Sequence, residues 1–585
     1  MKLITKYLKP YSWYLAFTFI IKAIATITEL IIPYILSHII DVIIPKVTLL
    51  GKDDSTKGIL LEIILWGGMM IVCAAAALLF NVIANRRSVK TARDATELIR
   101  HDLFHASLHL SCKNADKLTI PSMESRLTSD TYNLHHFMGM MQRIGVRAPL
   151  LLFGGVLITL MHDAYLAMIM IAIIPILALF IYFYSTKTIP LYSRVQKNVD
   201  KMVRVVREDS QGIRVIKALS KKDYEQRRFD ESNKELVKIE KKVGYITALS
   251  NPVMQVFLNL GLVAVVLLGA YRVNADLTHP GKIIAFMQYF TLISTSMMVL
   301  SRVFMAASKG IASANRIAEV LDMENEITTC AKEDYPDGDS NIHISFDKVS
   351  FGYHTDKKIL RDISFNLKKG QTLGIIGATG SGKTTLISLL MRFYDTTEGS
   401  VKINGQDVRT IDNDKLHSMF GVALQNDFLF NGSVKDNIDF GRGLDFESIK
   451  NAAKRAQAID FIEDFPEGFE HEITSKGTNI SGGQKQRLLI SRALAGNPEI
   501  LILDDSSSAL DYKTDLNLRR AIAEQEDGTT VVIVAQRVSS VMNSDLIIVL
   551  DEGKINGIGT HKELLESCEI YKEISDSQMG GAFLE

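Results

Sequence analysis

Within about the first 310 residues, hydropathy rises into about six apolar stretches, each approaching the ~20 residues that an α-helix needs to cross a bilayer. Hydrocarbon offers no partner to backbone N–H and C=O groups, so stretches of this kind fold as membrane helices. The expected spans are Tyr14 to Ile44, Gly58 to Ala84, Pro149 to Met161, Ala164 to Tyr184, Ile246 to Val273 and Lys282 to Met305. The third is short as counted and must extend backward through Phe137 to Val146. An even number of spans returns the chain to the side on which it began.

Charge sets the orientation. Two long, mostly polar connections, after the second and fourth spans, carry Arg86, Arg87, Arg93, Arg100, Arg204, Arg207, Arg227 and Arg228. The connections near Gly51 to Lys57, His162 to Asp163 and Asn274 to Gly281 are short and carry fewer positive charges. The long basic loops are therefore expected in the cytoplasm, and their apolar periodicity suggests helices projecting beyond the membrane. Lys2, Lys6 and Lys9 precede the first span, which runs past the 7 to 15 apolar residues of a signal peptide and should stay in the mature protein. The roughly ten residues ahead of it leave no room for the protease domain of a peptide-processing transporter.

A chain of 585 residues exceeds one compact core, so two large units are expected. Its 66 basic and 66 acidic residues balance, which argues against nucleic acid as a partner. Cys73, Cys112, Cys330 and Cys568 are scattered without the spacing of a zinc site or a disulfide framework.

Ionisable groups within the spans are costly and usually face a cavity or the bundle interior. Lys22 and Glu29 share a helical face about 10 Å apart along the axis. Glu29 is a candidate for a substrate path, against the alternative of an interhelical polar contact. Arg302 lies either in the last span or at its cytoplasmic boundary. Met287, Met297, Met298 and Met305 line an adaptable pocket or pack as ordinary helix residues.

After Asp322 the composition changes. The expected division is a membrane domain over 1–322, a polar linker over 323–341 and a soluble domain over 342–580. In the last, the apolar run Gln371 to Ile376 reads as a buried strand. It is followed by Gly377-Ala378-Thr379-Gly380-Ser381-Gly382-Lys383-Thr384 and a helix with Leu386, Leu389, Leu390 and Phe393 on one face. Strand, glycine-rich loop and helix in this order are the setting of a phosphate-binding loop. Its backbone N–H groups turn toward phosphate oxygens, Lys383 reaches the terminal phosphates and the Thr384 hydroxyl suits Mg²⁺. A second buried strand, Glu499 to Leu503, ends in Asp504, at the edge of a parallel sheet where ligands bind. Asp504 fits a Mg²⁺ partner, with helix capping as the alternative.

Between these elements stands Ser481-Gly482-Gly483-Gln484, followed by Lys485-Gln486-Arg487. With this signature between the phosphate loop and the Asp504 strand, the chain resembles ABC transporter ATPases. In that family two nucleotide domains meet head to tail, and each signature closes on ATP held by the other. The resemblance implies ATP and Mg²⁺ as cofactors and ATP contacts from the phosphate loop with Thr385. It further implies an adenine-stacking role for Tyr353, with a core tyrosine as the alternative, and a Mg²⁺-sensing role for Gln425. Ser508-Ala509-Leu510-Asp511 matches the loop linking the two sites. Pro33, Asp41, Ser125-Arg126-Leu127-Thr128 and Gly212-Ile213-Arg214-Val215-Ile216-Lys217 extend the likeness into the membrane half, toward the exporter type. The implied fold is an all-α six-helix transmembrane domain, then an α/β P-loop domain with antiparallel β and helical subdomains.

Two positions depart from the pattern. Family members that hydrolyse ATP efficiently place glutamate after the Mg²⁺ aspartate and histidine after the following strand; here these are Asp505 and Gln536. The shorter carboxylate and the amide resemble the degenerate half of heterodimeric bacterial multidrug exporters. A partner half-transporter would then supply the intact glutamate and histidine, in a multi-pass cell-membrane assembly with its ATP-binding domains in the cytoplasm. Ser475 stands where many exporters carry a glutamate that touches the cytoplasmic loops. Import by the same architecture, as in siderophore uptake, and an ATP-gated channel are the competing readings. Drugs, lipids and peptides all fit as substrates, with Glu29 hinting at cations.

Overall fold

The computed structural model describes residues 1–49, 56–323, 327–331, 338–339, 341–353, 358–425, 427–506, 510–523 and 528–579. Parts of the expected linker and both Ser508 and Ala509 lie outside the described residues. The contacts divide the chain into two compact units. One comprises Met1–Leu108 with Ile120–Met323, the other His109–Thr119 with Glu324–Glu585.

Among the described residues, six helical segments of the first unit are long and apolar enough to cross a membrane. Their main helices are Ser12–His38, Thr56–Leu108, Thr131–His162, Ala164–Gln211, Lys222–Asn274 and Pro280–Leu321. The third carries Pro149 inside one continuous helix, so the backward extension of that span is borne out. The 53-residue second and fifth helices run ~80 Å at 1.5 Å per residue, against ~30 Å of hydrocarbon. Their polar ends therefore project well past the bilayer, as the basic loops suggest.

Close helix packing uses glycine where backbones approach. A methyl group added at Gly261 would fall 2.3 Å from Phe290 Cζ, which is why the fifth and sixth helices can pack there. At the cytoplasmic end, buried Arg126 donates to the Arg316 carbonyl at 3.0 Å and to Glu319 at 2.6 Å. Asp130 accepts from Arg316 Nε at 2.8 Å and from Ser313 at 2.8 Å. The Ser125-Arg126-Leu127-Thr128 segment thus fastens the start of the third membrane helix to the end of the sixth.

In the second unit, β1 (Ile342–Phe351), β2 (Leu360–Lys368), β4 (Glu398–Ile403) and β5 (Gln406–Asp407) form an antiparallel sheet in the order β2-β1-β4-β5. β3 (Thr372–Gly377), β6 (Phe420–Ala423), β9 (Ile500–Asp504), β10 (Thr530–Ala535), β11 (Leu546–Asp551) and β12 (Lys554–Gly559) form the second sheet, ordered β12-β11-β3-β10-β9-β6. All but the β11–β12 pair of that sheet run parallel. A two-stranded pair, β7 (Gly432–Ser433) with β8 (Glu472–Ile473), accompanies the helical region. Every residue of β9 is buried, matching the unbroken apolar run that a strand covered on both faces requires. Leu386, Leu389 and Leu390 of the helix Lys383–Leu390 bury against this core, each contributing roughly 1.5–3 kcal/mol.

Candidate functional site

The loop Gly377 to Thr384 leaves the end of β3 and enters the helix Lys383–Leu390. Two glycines are obligatory for reasons that differ. A Cβ at Gly377 would lie 2.1 Å from the Leu550 carbonyl oxygen of neighbouring β11, so the strands close only without a side chain there. Gly382, at the helix N-cap, has φ of +106°, a conformation closed to residues with a Cβ.

β9 and β10 neighbour β3 and deliver their carboxyl ends to the same place. The result is a cavity of about 280 Å³ lined by Thr379, Gly380 and Gly382 to Thr385, by Gln425, Asp504 and Asp505, and by Val534, Ala535 and Gln536. Ile359, from the approach to β2, closes one side. Fold topology therefore collects residues more than a hundred positions apart at the carboxyl edge of one sheet.

Lys383 Nζ donates to the Gly377 carbonyl at 2.7 Å and the Ala378 carbonyl at 2.8 Å, which curls the loop around its own ammonium. Burial lowers the Lys383 pKa, opposed by the carboxylates of Asp504 and Asp505. The Thr384 hydroxyl donates to Asp504 Oδ2 at 3.3 Å. Burial raises the Asp504 pKa against that hydrogen bond, and the Asp505 charge raises it further. Asp505 stands at φ of 48°, with its N–H bonded to the Val534 carbonyl at 2.9 Å. Its Oδ2 accepts from Gln425 Nε2 at 3.2 Å and from Gln536 Nε2 at 3.5 Å.

These groups fit a nucleotide polyphosphate and a hard cation. Ser381 Oγ is buried beneath the loop with no hydrogen-bond partner among the described residues. The Thr384 hydroxyl, the Asp504 carboxylate and the Gln425 amide are oxygen donors of the kind Mg²⁺ selects.

Tyr353 is 38% exposed beyond the end of β1, with its hydroxyl 3.3 Å from Thr385 Oγ1. Its ring meets Tyr394 edge-on at 5.0 Å and Phe351 at 5.1 Å. Tyr394 had no signal in the sequence, because its place beside Tyr353 comes from folding the segment after the phosphate-loop helix back toward β1. The Tyr394 hydroxyl in turn donates to Asp116, in the short helix Cys112–Lys117 that Ser111 caps.

Ser481, Gly482, Gly483 and Gln484 are not among the residues lining the cavity. Ser481 caps the helix Gly482–Leu494 through a reciprocal box: Ser481 N–H donates to Gln484 Oε1 at 2.9 Å, and Gln484 N–H donates to Ser481 Oγ at 3.3 Å. The helix start is thereby fixed, and Ser481 and Gly482 are exposed.

Comparison with known proteins follows the same division. Residues 15–297 match the ABC transporter transmembrane region, and residues 360–508 match the ABC transporter family of ATP-binding domains. An uncharacterized ABC transporter ATP-binding protein of Mycobacterium tuberculosis is 30% identical over 586 residues, covering 99% of this chain and 98% of that protein. The uncharacterized ABC transporter ATP-binding protein YfiB of Bacillus subtilis is 32% identical over 581 residues, with 98% of each chain covered. The solved structure of a bacterial Atm1-family ABC exporter with ATP bound superposes with a TM-score of 0.81 at 23% identity, covering 97% of this chain and 99% of that one. The chain therefore has the exporter-type fold, a multi-pass membrane region joined to a cytoplasmic ATP-binding, ATP-hydrolysing domain, and it belongs to the ABC transporter family.

Proposed function

We propose that this chain is one subunit of a heterodimeric exporter, and that it holds ATP at a slowly hydrolysing site while its Ser481 to Gln484 segment completes the partner's active site. The observation that carries this reading is the setting of Asp505. Its carboxylate is engaged by the amides of Gln425 and Gln536, at 3.2 and 3.5 Å. An aspartate carboxylate sits more than ~1 Å short of where glutamate would place it, and misplacement of this size costs ~10²-fold in rate. Gln536 donates a hydrogen bond but cannot become cationic.

On this reading Lys383 exchanges its two carbonyl partners for phosphate oxygens, and Tyr353 stacks on the adenine. Thr384, Gln425 and Asp504 hold Mg²⁺, which neutralises phosphate charge. Gly377 to Ser381, Gly382 and Thr385 supply the remaining phosphate contacts. Closure of the two nucleotide domains on ATP drives the membrane helices to open outward, releasing a drug-like, lipidic or peptide substrate from the inner leaflet or cytoplasm. Hydrolysis at the partner's intact glutamate and histidine resets the pair.

The test is purification with and without the partner half-transporter, with ATPase activity measured each time. The complex should hydrolyse ATP and the single chain should bind it with little turnover. Robust hydrolysis by this chain alone would sink the heterodimer reading.

A further inference from the structure

The membrane unit brings together positive charges that lie far apart in the sequence. Lys22, 3% exposed, donates to Asn81 Oδ1 at 2.6 Å and Asn85 Oδ1 at 3.0 Å. Both hydrogen-bond partners are neutral, and the carboxylate that acts on Lys22 electrostatically is that of Glu29. Glu29 is held by Arg147 through two bonds, at 2.6 and 3.3 Å. Arg143 lies one helical turn before Arg147, on the same face, and its Nε donates to the Gly139 carbonyl of its own helix at 3.1 Å. Arg143 and Arg147 are both near enough to act electrostatically on Lys22.

Helix register brings a fourth cation to this depth. A methyl at Gly310 would fall 2.5 Å from Phe137, and one at Gly155 would fall 2.8 Å from Ile293, so the third and sixth membrane helices run antiparallel in fixed register. Arg302 then stands roughly level with Gly145, between Arg143 and Arg147. A methyl at Gly154 would meet Leu30 at 2.8 Å, which sets Lys22 close to the same level on the parallel first helix. Arg302 is exposed in the single chain, and the Arg147 side chain is 42% exposed.

Four cations near one level of a membrane unit, with Glu29 about 10 Å further along the first helix, are tolerable only where water or a counter-ion reaches them. We propose that Arg143, Arg147 and Arg302, backed by the buried charge of Lys22, form a cationic belt that receives the anionic head, phosphate or carboxylate, of an amphiphilic substrate whose apolar tail lies along the helices. The faint preference for cations read from Glu29 is thereby reversed, because Arg147 occupies that carboxylate. The proposal rests on the exporter reading and names its substrate class.

The test uses the complete two-subunit transporter in zwitterionic nanodiscs. Equilibrium binding of dodecyl phosphate is compared with that of dodecyltrimethylammonium, which has the same tail, and with that of inorganic phosphate. Dodecyl phosphate should bind at least about tenfold more tightly than either. The combined variant Glu29→Gln, Arg143→Gln, Arg147→Gln, which leaves no orphaned carboxylate, should reduce its preference over the ammonium probe to within about twofold. Equal or tighter binding of the ammonium probe to the wild-type complex overturns the belt, and so does a preference unchanged in the variant. Inorganic phosphate binding as tightly as dodecyl phosphate overturns the amphiphile. MgATP turnover of the same wild-type sample reports separately on the exporter reading, so lost turnover with intact anion preference counts against that reading alone.

Discussion

Oδ2 of Asp505 lies 3.2 Å from the side-chain amide of Gln425, and the two residues are 80 positions apart in sequence. The bond joins the end of β9 to the segment after β6, across the mouth of the nucleotide cavity. Hydrogen bonding of this kind occupies a lone pair that a general base would need for water. The double change Asp505→Glu, Gln536→His should therefore raise ATP turnover of the assembled complex, by up to ~10²-fold at this site. Steady-state ATPase assays decide it, and an unchanged rate means that these two positions do not limit the site. Asp505 occupies φ of 48°, where aspartate is more at ease than most residues, so the variant should also be slightly less stable.

Asp504 offers a stability prediction with a definite sign. The carboxyl is 2% exposed, and burial raises its pKa, so the folded, nucleotide-free chain holds that proton more tightly than the unfolded chain does. Its contribution to stability is present at low pH and is lost as pH rises from the ordinary carboxylate range through the raised value. Asp504→Asn should remove this loss, raising the nucleotide-free melting temperature at pH ~7 by a few degrees. The same variant should show no further stabilisation by MgATP. A melt series across pH, with and without MgATP, separates the two effects.

Lys383→Ala should abolish ATP-dependent stabilisation while leaving the fold intact, because among the described residues the lysine bonds only to the Gly377 and Ala378 carbonyls of its own loop. Saturating MgATP at ~100 times the dissociation constant stabilises a binding-competent domain by ~2.7 kcal/mol, a readily measured shift. A variant that still shifts with MgATP would contradict the phosphate role of this residue.

Gly377→Ala should be far more damaging. Its new methyl would meet the Leu550 carbonyl at 2.1 Å, and a backbone atom in a parallel sheet cannot turn aside as a side chain can. Loss of soluble, folded protein is expected, whereas Gly380→Ala meets open space and carries only the strain of φ +85°. Expression and melting of the two variants side by side would show the contrast.

Arg126→Ala tests the membrane unit. Removing the guanidinium leaves the Arg316 carbonyl without that partner and frees Glu319, which is 54% exposed and so contributes little as an ion pair. The Arg316 carbonyl keeps its bond within the helix Pro280–Leu321, so the expected cost is that of the lost side-chain hydrogen bond, about 0.5–1.5 kcal/mol. Thermal melting of the purified protein checks it.

What the sequence made legible was local. The phosphate loop, β9 with Asp504, and the apolar spans each declare themselves within about twenty residues, because strand, loop and helix spacing are written into consecutive positions. The third span was legible only in part, since Arg143 and Arg147 interrupt its hydropathy. What stayed hidden depends on partners far along the chain. Arg147 meets Glu29 at a separation of 118 residues, and Arg126 meets Glu319 at 193. Glu29 stood out in the sequence as a candidate for a substrate path or an interhelical polar contact, and the structure shows the contact, with Arg147. Asp505 and Gln536 were visible as departures and Gln425 as a match, while the convergence of both amides on one oxygen required the parallel order β3-β10-β9-β6.

The bond from Tyr394 to Asp116 bears on how this chain can be cut. The ATP-binding unit is assembled from two separated lengths of polypeptide, His109–Thr119 and Glu324–Glu585. A fragment begun at the linker would keep the phosphate loop and lose Asp116, leaving the Tyr394 hydroxyl without that acceptor. Tyr394 is also the edge-on neighbour of Tyr353. Such a fragment would therefore be an imperfect stand-in for nucleotide affinity measured on the intact protein, and on the proposed stacking of Tyr353 the defect would lie at the base and not at the phosphates.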